Sequence, residues 1–198
     1  HERIELAYLA VAHRKCFASQ TSISHPSHLV DSIKCGLESV RPTLHTIASE
    51  DTHPLGAWLE GNAAIEGRAC PLLRYDPSKG ATWAERFDLV DNPQPEHDWP
   101  IWTGEVDSKQ LELSFTFAHC AMLTTDLQKY FKQLPDGIES EDLKPIEEWL
   151  HVSLDEASKY LPYLWAADQD GAIHKLIVAR EVTDVCRERL DYWRTLRE

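Results

Sequence analysis

The sequence predicts an α/β fold: a partial parallel sheet with flanking helices, followed by a helical and β-hairpin C-terminal extension. Three observations predict it. In the first third, short apolar strands alternate with single helices, a spacing that calls for right-handed crossovers and parallel pairing. A stretch rich in proline and tryptophan then breaks the alternation. Beyond it, a turn-rich loop between two apolar runs and a long arginine-bearing helix change the period again.

The elements follow in order. Glu2 to His13 carries Ile4, Ala7, Tyr8 and Val11 on one helical face, widened by Leu6, Leu9 and Ala10, which predicts a helix covered by other elements. Cys16 to Gln20 reads as a strand. Pro26 suits a helix start, where its missing N–H costs little, and Leu29, Val30, Ile33 and Leu37 follow at helical spacing. Pro42 opens a second strand, Thr43 to Ala48; a helix from Leu55 to Arg68 and a third strand, Pro71 to Tyr75, complete the unit. Its expected extent is residues 1–77, with all three strands parallel.

Residues 78–105 read as an ordered irregular excursion, with Trp83, Trp99 and Trp102 holding it to the surface. Residues 106–198 read as the extension. It holds a helix from Thr116 to Phe131, a short helix near Ile146 to Leu150, and a hairpin of Tyr163–Ala167 and Ala172–Ala179. A last helix places Val182, Cys186, Leu190 and Trp193 on one face.

Composition narrows the function. The 198 residues are 42% hydrophobic and 27% charged, as in a globular protein with a real core. Twenty Lys and Arg against 33 Asp and Glu give a net charge of −13, which excludes the cationic footprint that nucleic acid requires. Such acidity serves as a solvated surface or docks a basic partner. No run approaches the roughly 20 apolar residues that cross a bilayer, so no membrane partner is expected. Cys16, Cys35, Cys70, Cys120 and Cys186 are odd in number and contain no CxxC pair, which predicts free thiols and a cytoplasmic setting. A chain that opens on His1 rather than Met predicts a piece of something longer.

No catalytic set is legible. His25 and His28 lack further ligands at zinc spacing and read as part of a strand-to-helix loop. Loops at the carboxyl ends of parallel strands line the ligand crevice, which makes Gln20 to His28 the best positional candidate for a site. Ser49-Glu50-Asp51-Thr52-His53 lies on the same expected edge, as a solvated cap or an acid–base or cation-binding loop. Gly56-x4-Gly61 is not followed by Lys-Ser/Thr, and neither GxGxxG nor GxSxG occurs. Cys120 and Cys186 lie on apolar helical faces, as small core residues do.

The order of segments says more than any single motif. Phe17-Ala-Ser-Gln-Thr-Ser-Ile-Ser-His-Pro-Ser-His-Leu is followed by a helix and by Arg41-Pro-Thr-Leu-His-Thr-Ile-Ala-Ser. Next come Ala63-Ala-Ile-Glu-Gly-Arg-Ala-Cys-Pro-Leu-Leu-Arg-Tyr-Asp-Pro and Asn92-Pro-Gln-Pro-Glu-His-Asp-Trp-Pro. This succession resembles the end of the thiamine-diphosphate domain of pyruvate (2-oxoacid):ferredoxin/flavodoxin oxidoreductases. The tail, from Tyr163-Leu-Trp-Ala-Ala to the Leu190-Asp-Tyr-Trp helix, looks like the terminal extension of the large single-chain members.

The resemblance implies a thiamine-diphosphate-binding-like fold and a parent enzyme that decarboxylates a 2-oxoacid oxidatively to an acyl-CoA. Its cofactors are thiamine diphosphate, Mg²⁺ and iron–sulfur clusters, its electron acceptor is ferredoxin or flavodoxin, and its partner is the remainder of the oxidoreductase. It also implies that Gln20, Thr21 and Ser22 sit near the thiamine crevice. Two family features are absent from the sequence: the Gly-Asp-Gly…Asn signature that holds Mg²⁺ and diphosphate, and the cluster-ligating cysteine after the second strand, where Ser49 to His53 stand instead. The expectation is therefore a fragment or subunit, inactive and cofactor-free by itself. The alternative is a non-catalytic protein-interaction module derived from that fold.

Overall fold

A computed structural model describes residues 5–49, 53–106, 109–135, 138, 140–167 and 172–198. Helix α1 (Leu6–Ala12) leads into β1 (Phe17–Ser22), α2 (Pro26–Glu38), β2 (Thr43–Ala48), α3 (Pro54–Glu66) and β3 (Leu73–Tyr75). A one-turn helix α4 (Trp83–Arg86) and β4 (Phe87–Asp88) finish the first sheet, whose order is β2-β1-β3-β4.

β1 and β2 run parallel, Phe17 opposite Thr43 and Ser22 opposite Ala48. β3 does not follow. It pairs antiparallel with β1 (Ala18 opposite Tyr75), and β4 is antiparallel to β3. The expectation of three parallel strands is therefore corrected: the sheet is mixed and the fold is α/β in the broad sense. After α3 the chain turns at Arg68, whose φ of 54° lies in the left-handed region, and re-enters beside β1 in the opposite direction.

Alternation along β1 assigns its faces. Ala18 packs with Ala10 and Val11 of α1 and with Tyr75. On the other face the Ser19 hydroxyl meets His45 and the Thr21 hydroxyl meets His28 of α2. All six residues of β1 are buried. By contrast β2 is an edge strand, half-buried to exposed throughout.

The excursion is more regular than expected. β5 (Ile101–Val106) and β6 (Lys109–Ser114) form an antiparallel ribbon, with their turn outside the described residues. The helix expected from Thr116 to Phe131 ends early as α5 (Phe117–Leu123), because Thr124 is extended at φ −85°, ψ 118°. A 3₁₀ turn (Thr125–Tyr130) and β7 (Phe131–Gln133) replace its second half.

After a second 3₁₀ turn (Ser140–Asp142) come β8 (Leu143–Pro145), α6 (Ile146–His151), α7 (Leu154–Ala157), β9 (Leu161–Ala167), β10 (Ile173–Val178) and α8 (Arg180–Arg197). The hairpin expected around residues 163–179 is present, β9 antiparallel to β10, within a second sheet of order β7-β10-β9-β8. Its tip, Asp168 to Gly171, lies outside the described residues.

α8 joins the two halves. Val182, Cys186 and Leu190 close the core above the second sheet with Trp99, Ala118, Ile146 and Leu164. One turn further, Trp193 and Leu196 pack on Ala7 and Leu73 of the first sheet's unit. Trp193 also donates its indole N–H to His97 O at 2.9 Å and lies under the Arg68 guanidinium, 4.0 Å from the ring centre.

Candidate functional site

Gln20, Thr21 and Ser22 end β1 inside the protein, none more than 2% exposed. Each side chain already has a partner. The Gln20 amide donates to Pro71 O at 2.9 Å, Thr21 Oγ1 bonds Nδ1 of His28 at 2.9 Å, and Ser22 Oγ bonds Ser24 Oγ at 2.9 Å. Gly61 of α3 lies over the two serines, and a Cβ there would stand 3.0 Å from the Ser24 side chain. The polar groups of all three side chains are thus used within the protein, by Pro71, His28 and Ser24.

The seam on the α2 face is polar and closed. Arg74 of β3 donates from Nε to Ser32 Oγ (3.0 Å), from Nη1 to Asp88 (2.9 Å) and from Nη2 to Asp91 (3.0 Å). Burial first, and then the Arg74 charge, hold His28 neutral, with its pKa lowered to about 4 against the pull of Asp91 and Asp88. Burial also lowers His25, whose Nδ1 lies 3.3 Å from Ser24 Oγ. The two histidines thus turn to different hydroxyls. Among the described residues no three metal-binding side chains come together. Of the loop after β2, Glu50, Asp51 and Thr52 lie outside the described residues. This seam fixes α2 to the sheet.

The outer surfaces of the helices are where this unit departs from an ordinary surface. The residues at helical spacing in α2 are Leu29, Val30, Ile33 and Leu37. The helix buries His28, Ser32 and Gly36, while Val30, Ile33 and Leu37 are exposed, Leu37 by 81%. Gly36 is needed for that approach, since a Cβ would sit 2.5 Å from the His45 ring. α1 behaves alike: Ala7 and Ala10 face the sheet, and Leu6 and Leu9 are more than half exposed. In α3, Ala57, Gly61 and Ala64 face inward while Leu55, Trp58 and Leu59 face out. Leu44 and Ile47 of the β2 edge are exposed as well.

Single exposed apolar residues are normal; here they recur along the outer sides of α1, α2 and α3. For α1 the breadth of the apolar stripe predicted a covered helix. The overlooked signal was the recurrence of small residues at three- and four-residue spacing in each helix: Ala7/Ala10, Ser32/Gly36 and Ala57/Gly61/Ala64.

The five cysteines are unbridged; Cys70, Cys120 and Cys186 are buried and Cys16 and Cys35 half-buried. Burial pushes the Cys186 thiol up, out of the reactive range. No described helix is long and apolar enough to cross a membrane. Neither a protein-family model nor a curated protein matches the chain, so its function is argued from its own residues and geometry.

Proposed function

We propose that the chain is a non-catalytic wall of a larger α/β enzyme of the 2-oxoacid:ferredoxin oxidoreductase class. Further polypeptide supplies the strands beyond β2 and the groups that anchor thiamine diphosphate and Mg²⁺. The observation that carries the docking role is the outward turn of Leu6/Leu9, Val30/Ile33/Leu37 and Leu55/Trp58/Leu59 around the open β2 edge. A strand added there is sandwiched by helical layers only if its own polypeptide brings apolar surface to both faces, as an α/β layer does. The class itself rests on the order of the segments from Phe17 to Pro100.

In this reading the whole enzyme works in the reducing cytoplasm, converts pyruvate or a related 2-oxoacid to acyl-CoA, and passes electrons through iron–sulfur clusters to ferredoxin or flavodoxin. Gln20, Thr21 and Ser22 shape the crevice from beneath through Pro71, His28 and Ser24 rather than by touching the cofactor. Their role is positioning.

The antiparallel β3 favours a second reading, a non-catalytic interaction module built on such a fold. It does not decide the matter, because doubly wound sheets often carry antiparallel strands on one side. Calorimetry separates the two. Thiamine diphosphate with Mg²⁺ gives no binding heat with this chain alone. It gives stoichiometric binding when the chain is co-purified with the polypeptide encoded upstream, provided that polypeptide carries a Gly-Asp-Gly signature. Tight binding to the isolated chain, or a start codon at this position with no such partner, contradicts the enzyme reading.

A further inference from the structure

β2 ends the first sheet among the described residues, and its ladder with β1 shows which main-chain groups it leaves outside. Phe17 N–H donates to Pro42 O at 2.9 Å and Ile23 N–H to Ala48 O at 3.2 Å. The N–H and C=O of one strand residue point to the same side, so Leu44, Thr46 and Ala48 serve β1. Thr43, His45 and Ile47 present theirs to the open side of the sheet. Natural edges are commonly guarded by lysine, proline or a bulge. Thr43–Ala48 has none of these, and its register with β1 runs unbroken from end to end.

The helices on both faces lean apolar rows towards this edge. On one face Gly36 of α2 meets His45 of β2, while Cys35 borders a groove with Arg74 of β3 and Asp88 of β4. At about 3.6 residues per turn, Ile33 and Leu37 follow Gly36 round to the β2 flank, and Asp31, Lys34 and Glu38 fall on the other. On the second face α1 packs on β1 and β2. Its Tyr8 meets Tyr192, and its Ala12 borders a groove with Trp83 and Phe87, which turns Leu6 and Leu9 to the β2 flank. A partner must therefore bring an extended strand with an uncharged apolar layer above and below it. β2 of a second copy, with its own α1 and α2, has that arrangement. At a net charge of −13 two copies repel unless charge is kept off their contact, and here neither the strand nor either row carries Asp, Glu, Lys or Arg.

We propose that the chain, when alone, pairs with a second copy of itself, β2 against β2 and antiparallel, about a twofold axis at His45. The inference rests on the docking role proposed above and names its occupant; in the whole enzyme the same place belongs to the further polypeptide. A twofold axis normal to the sheet sets α2 beside α2 on one face and α1 beside α1 on the other, so one contact covers both rows. Thr43 then stands opposite Ile47 of the partner subunit, and His45 opposite its own copy. Every outward N–H and C=O of Thr43, His45 and Ile47 thereby finds a mate.

The test follows amide hydrogen exchange and sedimentation of the full chain over a concentration series. The Thr43, His45 and Ile47 amides are expected to exchange about tenfold or more slowly at the concentrated end, while those of Leu44 and Thr46, already held by β1, do not change. Ile47→Pro removes one outward N–H without touching the β1 ladder, as proline does on edge strands, and weakens association by about tenfold or more. Association in which the three amides stay fast, or in which Ile47→Pro associates as the wild type does, overturns the strand pairing and leaves the docking face standing. A chain that stays monomeric throughout the series overturns both.

Discussion

Arg68 is fully buried, sits at φ 54°, and donates to the carbonyls of Pro93 (2.9 Å), Gln94 (3.1 Å), His97 and Asp98 (3.3 Å each) while stacking on Trp193. Burial and the neighbouring Arg197 lower its pKa to about 10, so it remains charged at neutral pH. One side chain thereby gathers the excursion, the turn before β3 and α8. Its removal strands four carbonyl acceptors and leaves a void, so Arg68→Ala costs about 3 kcal/mol, or roughly 10 °C in thermal midpoint. Lysine rescues little of it, lacking the planar fork. Differential scanning calorimetry of the two variants checks this.

Two buried histidines give a pH dependence with a defined sign. His28 and His119 are held neutral to about pH 4, chiefly by burial, against an ordinary value of 6.5. Between those values the unfolded chain binds more protons than the folded one, so stability falls as pH drops from about 6.5 towards 4. Urea midpoints are expected to be lower at pH 5 than at pH 7, and His28→Gln should flatten the difference. An equal slope in that variant would assign the effect elsewhere.

At the scale of elements, small residues decide which face each helix buries. Ser32 and Gly36 allow α2 to approach the His45 and Arg74 side chains, and the large residues are left outside. Because Val30, Ile33 and Leu37 touch solvent in the isolated chain, glutamate at all three should change the unfolding free energy, read from urea titration, by no more than about 1 kcal/mol. If those residues formed the helix's own core contact, the same change would unfold the protein.

Across the whole molecule, the sequence revealed its local periods but not the direction of its strands. The β9–β10 hairpin and the inward row Val182, Cys186, Leu190 and Trp193 on α8 were legible because period and burial agree there. The reversal of β3 was not, since a three-residue strand carries no sign of its direction and the turn is made by an arginine rather than a glycine. The split of the expected Thr116–Phe131 helix was hidden for a similar reason, its second half being apolar enough for either structure. At the candidate site, Gln20, Thr21 and Ser22 were read as lining a crevice. Their partners, Pro71, His28 and Ser24, were not legible, because Pro71 lies far along the chain and His28 on the neighbouring helix.

The central claim is that the outer faces of α1, α2 and α3, with the β2 edge, are built to be covered by further polypeptide. Sedimentation velocity over a concentration series tests it most directly. The isolated 22.6 kDa chain should self-associate as its concentration rises, and the Val30→Glu, Ile33→Glu, Leu37→Glu variant should remain a folded monomer. A wild-type chain that stays monomeric throughout the series, indistinguishable from the variant, would contradict the claim.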